Sequence, residues 1–255
     1  MILVGQIKTF TASLRDTIRP YNLIAARAPI CMHDSSELSA KPIVFVHIPK
    51  TAGTSFRLAA QNRFGRSRIL KDYGPDSSHT STVVKKTVYG DDTVDELLDA
   101  MLGRGCQFFT GHFHVSKYRS VFGERVRWCT FIRHPVNRVV SEFLHMSSEG
   151  TYSKSLVDFI NEPQQCNRQA KLISGIEPRD FFFVGVTEMY RDSISLFNQL
   201  TALDFSVLKR NVGNRKAVDI GLNDELSQQI EANNRRDLAL YRAASALLLD
   251  RLKQG

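Results

Sequence analysis

Residues 43–56 read IVFVHIPKTAGTSF. The continuous apolar run at the start of this stretch predicts a strand that is buried on both faces, which is typical of a parallel sheet. Pro49 ends the strand, and Gly53 is expected to adopt a backbone conformation that other residues avoid. Thr54 and Ser55 can cap a following helix. The stretch therefore predicts a buried strand, a tight turn and a helix.

The turn in this stretch has the features of an anion site. A helix start presents free N–H groups and the positive end of the helix dipole, both of which suit a phosphate or a sulfate. A lysine and several hydroxyl groups add to it, and the predicted binding residues are Lys50, Thr51, Ala52, Gly53, Thr54 and Ser55. The rival is the G-x-x-x-x-G-K-[S/T] loop of nucleotide hydrolases and kinases. Here the lysine precedes the glycine and the first glycine is missing, which disfavours an ATP or GTP enzyme.

Residues 128–143 read WCTFIRHPVNRVVSEF and repeat the pattern of a buried strand that leads into a helix. Pro135 suits a first helical turn. We predict that Arg133 and Ser141 hold a phosphate with charge-assisted hydrogen bonds, and we interpret Arg138 as a structural ion-pair partner. A kinase would have a magnesium-binding aspartate at the strand end, where this chain has arginine. The two turns together predict a ligand with two separated phosphate-type groups.

Short apolar runs alternate with helical periods from residue 43 onward. Strands are predicted at 43–48, 106–110, 128–132 and 181–186, and helices near 55–64, 94–102, 135–146, 189–201 and 224–253. This alternation predicts an α/β fold of three layers around a central parallel sheet, with a P-loop-like strand–loop–helix. Thr93 and Glu96 predict a capping box at the second helix. The polar, basic stretch 66–90 is interpreted as a long surface loop.

The chain divides into a helical lead-in at residues 1–40 and a single domain at 41–255. The lead-in carries an apolar stripe at helical spacing, formed by Leu3, Ile7, Phe10, Leu14 and Ile18. We expect this helix to dock on the domain. Pairing with another subunit or lying on a membrane surface are the alternatives.

The amino-acid composition and the net charge limit the classes of protein to which this chain can belong. Of the 255 residues, 42% are hydrophobic and 24% charged, as in soluble globular proteins, and the net charge of +8 favours an anionic ligand or partner. The four cysteines have no zinc-ligand spacing and are expected to be reduced thiols. Neither a secretory leader nor an apolar run of about 18 residues occurs, so we expect a cytoplasmic protein without a membrane span.

The two phosphate motifs resemble those of the PAPS-dependent sulfotransferase superfamily (PAPS is 3′-phosphoadenosine-5′-phosphosulfate). The similarity is to the branch of heparan sulfate 2-O-sulfotransferase and related carbohydrate sulfotransferases. Residues 47–55 are similar to the loop for the 5′-phosphosulfate, and Arg133 with Ser141 to the 3′-phosphate element. Looser similarity extends through 111–112, 167–169 and 184–188.

The resemblance implies transfer of a sulfuryl group from PAPS to a hydroxyl of a carbohydrate or glycoconjugate, without a metal ion. Many eukaryotic relatives carry a Golgi membrane anchor, and none is evident here, so the resemblance is to a bacterial-type soluble enzyme. Lys50 would stabilise the bridging oxygen as negative charge develops on it.

A histidine is expected to act as the base, because its ordinary pKa lies near neutral pH. Residues 108–114 read FFTGHFH and place His112 and His114 just past a buried strand. The resemblance places the base of this branch directly after the glycine, so we prefer His112, with His114 as runner-up. Glu142 and His145 are weaker candidates.

Further assignments rest on the weaker parts of the resemblance. Arg215 and Lys216 fall where relatives have a loop that closes over the nucleotide, and we assign them to the 3′-phosphate. A solvated charge run is an equal alternative for them. Asn167 and Gln169 are assigned to orienting a sugar.

Two other function classes remain open at this stage. One is a non-catalytic protein of the same fold that binds an anionic polymer, and the other is a nucleotide or small-molecule kinase. Basic charge suits a polymer backbone, but aromatic residues are not interleaved with the basic clusters as single-strand binding requires. We therefore expect no nucleic-acid partner, and the resemblance implies a carbohydrate acceptor. The oligomeric state is open, and a dimer is one option.

Overall fold

The computed structural model describes residues 41–90, 93–208 and 221–254. The predicted lead-in helix and the basic stretch around Arg215 lie outside these residues. The strands are β1 (Ile43–Val46), β2 (Ile69–Asp72), β3 (Phe108–Gly111), β4 (Arg127–Ile132) and β5 (Phe183–Val186). They form one sheet in the order β2-β3-β1-β4-β5, and every neighbouring pair is parallel.

Helices connect and follow the strands. They are α1 (Gly53–Phe64), α2 (Thr82–Tyr89), α3 (Val94–Gly103), α4 (Ser116–Phe122), α5 (Pro135–Ser148), α6 (Leu156–Asn161), α7 (Arg168–Leu172), α8 (Tyr190–Thr201), α9 (Asp224–Asn233) and α10 (Arg235–Gln254). The predicted helix at 224–253 is thus two helices that break at Asn234. The other predicted strands and helices are present within a few residues of the expected ends.

The burial of the central strands confirms the three-layer α/β fold. Every residue of β1 and of β4 is buried. Successive side chains of a strand point to opposite faces of the sheet, so both faces must be covered. The core between the layers is rich in phenylalanine, and the rings of Phe45, Phe131 and Phe197 pack against Phe56 of α1. The helix that follows the first motif is therefore anchored in the centre of the protein.

The predicted capping box at Thr93 does not form. Thr93 is the N-cap of α3, but its side chain makes no capping hydrogen bond. A capping box is present instead at α6, where Ser155 and Asp158 exchange hydrogen bonds between side chain and backbone. The spacing of Thr93 and Glu96 predicts where the helix starts. It does not determine the side-chain rotamers that a capping box needs.

The interpretation of residues 66–90 as a surface loop is wrong. This stretch contains β2 and α2, and β2 pairs with β3 at one edge of the sheet. The sequence of β2, ILKD, is short and half polar. Edge strands have a partner on one side only and commonly carry charged residues, so a search for continuous apolar runs misses them.

A buried carboxylate ties this edge of the sheet to its helices. The side chain of Asp72 accepts hydrogen bonds from Lys117 Nζ at 2.7 Å and from the hydroxyls of Tyr118 at 2.6 Å and Tyr89 at 2.7 Å. Its Oδ1 also accepts from the Gly74 amide at 3.0 Å. Burial alone would raise the pKa of Asp72, but the bonds from Lys117, Tyr118, Tyr89 and Gly74 outweigh it and lower the pKa.

We expect Asp72→Asn to lower the free energy of unfolding at pH 7 by about 2–3 kcal/mol, because an amide cannot replace the charge that these donors face. The pKa of Asp72 is lower in the folded protein than its value of about 3.9 in the unfolded chain. The stability that its charge contributes is therefore present above pH 3.9 and is lost as the pH falls through the folded-state pKa. Urea unfolding at pH 7 and in acid measures both effects. Asp76→Asn, at an exposed position, is the control. Equal stability of wild type and Asp72→Asn at pH 7 would contradict the prediction.

The connections place a crevice between two central strands. After β1 the chain passes through α1 and continues to β2 at one edge, whereas after β4 it passes through α5 and continues to β5 at the opposite edge. The carboxyl ends of β1 and β4 therefore flank the point where the connections diverge, which is where open α/β sheets bind ligands. Among the described helices, none has the length and apolar character needed to cross a membrane.

Candidate active site

The turn after β1 is strained at two residues that are not glycine. Lys50 and Ala52 both have a φ of 67°, in the left-handed region. Such conformations cost free energy in L-residues and concentrate at functional sites. Backbone N–H groups in alternating right- and left-handed conformations form a concave nest that binds anions. The strain thus supports the predicted anion site in this turn.

Gly53 has a different role from the one expected. It begins α1 and is not among the residues with positive φ. A Cβ atom at Gly53 would instead lie 2.1 Å from Cδ2 of His47. Glycine is required at this position because the imidazole ring of His47 packs directly against the backbone.

The backbone, rather than Thr54 or Ser55, caps α1. Ala52 is the N-cap and no side chain caps the helix. The amides of Ser55 and Phe56 donate to the Ala52 carbonyl at 3.0 and 3.2 Å. The amides before them start the helix and have no carbonyl one turn back. They are therefore the donors that an anion in this turn would meet.

The six predicted residues of the turn differ in what they can offer a ligand. Thr51 is buried, and its hydroxyl donates to the Ile48 carbonyl at 2.9 Å. Since that bond uses its hydroxyl proton, Thr51 can donate to a ligand only through its backbone amide. Lys50 and Thr54 are half-buried, and Ser55 is buried.

The structure brings the second predicted motif against the first. Arg133 follows β4, and its Nη1 donates to the Lys50 carbonyl at 3.0 Å. The side chain of Arg133 keeps 26% of its surface exposed, so it remains accessible to a ligand. Ser141 lies further along α5 and is half-buried. Lys50 and Arg133 thus share the crevice between β1 and β4.

Gln169 holds the backbone of Arg133. Its side-chain amide accepts from the Arg133 N–H and donates to the Arg133 carbonyl, both at 2.9 Å. Gln169 is completely buried. Asn167 is also used structurally, because its Oδ1 accepts from the amide of Arg236 at the start of α10. The assignment of Gln169 to sugar binding is therefore wrong, since its buried side chain is bonded to Arg133. The half-buried Asn167 stays a prediction.

Glu188, two residues after the end of β5, holds the start of α5. Its Oε1 accepts from the His134 amide at 3.1 Å and from Asn137 Nδ2 at 2.9 Å. The same oxygen lies 4.0 Å from Nε of Arg133. A carboxylate at a helix N-terminus is favourable, and this one also fixes the orientation of Arg133.

Arg138 is structural, as interpreted from the sequence, but its direct partner is a carbonyl. It is completely buried and its Nη2 donates to the Gln165 carbonyl at 2.9 Å. Burial lowers its pKa to about 10, although the carboxylates of Asp237 and Glu142 act in the opposite direction. No carboxylate among the described residues lies within ion-pair distance of it.

His112 is placed as a base would have to be. Its Nδ1 lies 2.6 Å from the backbone carbonyl of His47. A carbonyl only accepts, so Nδ1 carries the proton, and in the neutral ring Nε2 keeps a free electron pair. Burial lowers the pKa of His112 below its ordinary value of 6.5, which favours this neutral form at pH 7. His112 is nevertheless an exposed residue, so its side chain is accessible to a substrate.

Two residues that the sequence analysis did not single out surround His112. The ring centroids of His47 and His112 are 4.5 Å apart, and those of Tyr73 and His112 are 4.8 Å apart. The Tyr73 hydroxyl lies 3.2 Å from Nδ1 of His47. His47 could be noticed as part of the first motif, but Tyr73 follows the edge strand that the apolar pattern did not reveal.

The other candidate bases lie in different surroundings. His114 is exposed, and its Nδ1 lies 3.1 Å from the Lys171 carbonyl. Glu142 is buried rather than solvent-facing, and it accepts from Arg168 at 3.0 Å. His145 lies 3.4 Å from Glu149, one helical turn further along α5. Of these four candidate bases, only His112 contacts His47, the residue that directly follows β1.

Two predicted ligand residues, Arg215 and Lys216, lie outside the described residues and stay predictions. Within the described ranges, no group of three or more His, Cys, Asp or Glu side chains is arranged to hold a metal ion.

Comparisons with known proteins give a limited result. No model of a known protein family matches the chain, and a search of curated proteins finds no match. Among solved structures, a sulfotransferase from Alicyclobacillus acidocaldarius is 13% identical, with a TM-score of 0.48 over 80% of this chain and 95% of that chain. The mouse sulfotransferase SULT7A1 complexed with PAP is 10% identical, with a TM-score of 0.41 over 78% of this chain and 67% of that chain. At these values the likenesses carry no argument about function, which therefore has to come from the site itself.

Proposed function

We propose that this protein is a PAPS-dependent sulfotransferase that transfers a sulfuryl group to a hydroxyl of a carbohydrate or glycoconjugate. The observation that carries the proposal is the contact between the two motifs. Arg133 Nη1 lies 3.0 Å from the carbonyl of Lys50, so two cationic turns share one crevice. The donor, PAPS, carries a 3′-phosphate and a 5′-phosphosulfate on the same ribose. Two cationic turns in one crevice suit these two anionic groups.

The residues present fit this donor. The strained turn at Lys50 and Ala52 would hold the 5′-phosphosulfate through its amides and the lysine. Arg133 would hold the 3′-phosphate together with Ser141. Two hydrogen bonds from the Gln169 side chain already fix the backbone of Arg133. Preorganised donors of this kind need no rearrangement when charge develops on a ligand.

The reaction is an in-line displacement. The acceptor oxygen forms a bond to sulfur, the bond between sulfur and the 5′-phosphate oxygen breaks, and its electron pair leaves on adenosine 3′,5′-bisphosphate. The acceptor proton passes to Nε2 of His112, the ring nitrogen that the bond to the His47 carbonyl leaves unprotonated. Lys50 stabilises the charge on the leaving oxygen. Positioning and charge stabilisation dominate such transfers.

The proposal includes two points that rest on the sequence. The carbohydrate acceptor comes from the resemblance of the two phosphate motifs, as does the absence of a metal requirement. Each of these points could be wrong while the proposed donor site is right.

A thermal-shift titration with adenosine 3′,5′-bisphosphate tests the donor site. At about 100 times its dissociation constant the ligand should add about 2.7 kcal/mol of stability to wild type. Arg133→Ala should lose this effect, and Arg133→Lys should keep part of it, because lysine retains the charge without the planar fork. Arg104→Ala, at an exposed position, is the matched control.

Adenosine 5′-monophosphate, ATP with magnesium and dextran sulfate are the comparison ligands. Selective stabilisation by ATP with magnesium would replace the proposal with a kinase. Stabilisation by dextran sulfate, with no response to the bisphosphate, would replace it with a non-catalytic polyanion-binding protein.

A further inference from the structure

The ends of β2 and β3 approach each other closely beside the candidate base. Asp72 and Gly111 are partners in the parallel register of these strands, and the His112 amide donates to the Asp72 carbonyl at 3.1 Å. A Cβ atom at Gly111 would lie 1.7 Å from that carbonyl oxygen, so any other residue would push the strands apart. Gly111 therefore allows Tyr73, the residue that follows Asp72, to lie beside His112.

Hydrogen bonds fix the backbone around Tyr73. Its amide donates to the hydroxyl oxygen of the buried Thr80 at 2.9 Å, and that hydroxyl donates to the Gly74 carbonyl at 2.6 Å. The Gly74 amide in turn donates to the Asp72 carboxylate at 3.0 Å. A turn that is closed by three hydrogen bonds fixes the direction in which the Tyr73 side chain leaves the backbone.

Three contacts restrict the imidazole ring of His112. Its Nδ1 is bonded to the His47 carbonyl at 2.6 Å, and the centroid of the His47 ring lies 4.5 Å away. The centroid of the Tyr73 ring lies at 4.8 Å with the ring planes 76° apart, an edge-to-face arrangement that aromatic pairs favour. The hydrogen bond fixes the position of Nδ1 but still lets the ring tilt about that atom. The two neighbouring rings limit this tilt.

The Tyr73 hydroxyl acts separately on His47. Arg57 hydrogen-bonds to this hydroxyl, and because a guanidinium group only donates, the hydroxyl oxygen accepts there. The hydroxyl proton is then available for Nδ1 of His47, at 3.2 Å. Burial is the main cause that lowers the pKa of His47 well below 6.5, so its ring is neutral at pH 7 and Nδ1 can accept. The hydroxyl thereby fixes the second ring that contacts His112.

We propose that Tyr73 is a positioning residue for His112, because its ring holds the imidazole at the tilt that points Nε2 toward the acceptor oxygen. This role rests on the proposed function, in which Nε2 takes the acceptor proton. A general base must lie within hydrogen-bond reach of that proton, and a misplacement of about 1 Å costs about 10²-fold in rate. Without the Tyr73 ring, Nδ1 would keep its bond to the His47 carbonyl while the part of the ring that carries Nε2 would be free to swing.

The pKa of His112 provides a readout of this contact. Burial is the main cause that lowers it, the backbone bond to His47 raises it, the charge of Arg168 on α7 lowers it and that of Glu142 on α5 raises it. A substitution of Tyr73 leaves these other groups in place and uncovers part of the imidazole. Removal of the Tyr73 ring should therefore raise the pKa of His112 toward its ordinary value of 6.5.

The test follows the histidine ring signals by NMR in a pH titration, with the His112 signal identified by its loss in His112→Asn. Tyr73→Leu should raise the pKa of His112, whereas Tyr73→Phe keeps the ring and should leave that pKa as in wild type. The matched control is His79→Leu, which removes an exposed ring whose centroid lies 6.3 Å from that of Tyr73, and it should also leave the pKa unchanged. Thermal shifts with adenosine 3′,5′-bisphosphate show that each variant is folded.

Turnover of PAPS with methyl β-D-glucoside as probe acceptor gives the second readout. Tyr73→Leu should lower kcat about 10–100-fold with little change in the KM for PAPS, and Tyr73→Phe should restore most of the loss. An unchanged pKa of His112 in Tyr73→Leu, an equal shift in His79→Leu, or an equal loss of kcat in Tyr73→Phe would overturn the role of the Tyr73 ring and leave the proposed function standing. Failure of wild type to bind the bisphosphate would instead remove the proposed function, and the NMR titration would still report the ring contact.

Discussion

Replacing Lys50 with alanine should lower the rate of sulfuryl transfer about 10²–10³-fold, the usual cost of removing one donor that stabilises developing charge. Lys50 lies in the strained turn at a φ of 67°, and Arg133 holds its carbonyl. Alanine keeps the same backbone demand, so the turn should persist while the charge is lost. The measurement is conversion of PAPS to adenosine 3′,5′-bisphosphate, followed by chromatography in the presence of a carbohydrate acceptor.

Two further variants separate charge from structure. Lys50→Arg should retain more activity than Lys50→Ala, because it keeps a positive charge in the turn. Lys41→Ala removes a lysine just before β1 and should leave the rate unchanged. A Lys50→Ala variant that turns over as fast as wild type would refute the role of Lys50 in stabilising the leaving oxygen.

The second large effect is expected at His112. His112→Asn should lower the rate about 10²–10⁴-fold, the range that general-base catalysis contributes. Asparagine can still donate to the His47 carbonyl, as Nδ1 of His112 does at 2.6 Å, but it cannot take the acceptor proton. The loss should fall on kcat, while binding of adenosine 3′,5′-bisphosphate stays as in wild type.

The pH dependence provides a second readout for His112. Burial lowers the pKa of this side chain below 6.5, and only the neutral ring is a base. The wild-type rate should therefore rise as pH increases through this lowered pKa and level off above it. His112→Asn should lose this acid limb. His114→Asn is the matched control, since its ring contacts the Lys171 carbonyl instead, and loss of the limb in that variant would move the base to His114.

The predictability of the fold varied along the chain for a physical reason. The central strands β1 and β4 are covered on both faces, so their sequences are continuous apolar runs that stand out. In the edge strand β2, two of the four residues are polar, so its sequence contains no such apolar run. The strands that form the crevice could thus be predicted, whereas the edge strand could not.

The candidate site shows the same division. Lys50 and Arg133 could be predicted, because each follows a buried strand and precedes a helix. Gln169 was assigned to the wrong role, because its bonds to Arg133 join residues 36 positions apart. Gly53 was the right residue for the wrong reason, since the ring of His47, not the backbone angle, demands it.

Local pattern in the amino-acid sequence determined the α/β class, the order of its elements and the two anion-binding turns, because apolar periodicity and turn chemistry act over a few neighbouring residues. The position of β2, the buried Asp72 network and the tautomer of His112 depend on contacts between distant segments. Such contacts leave no periodic signal in the chain. They follow from the strand order, which brings the ends of β1, β2 and β3 together at one end of the sheet.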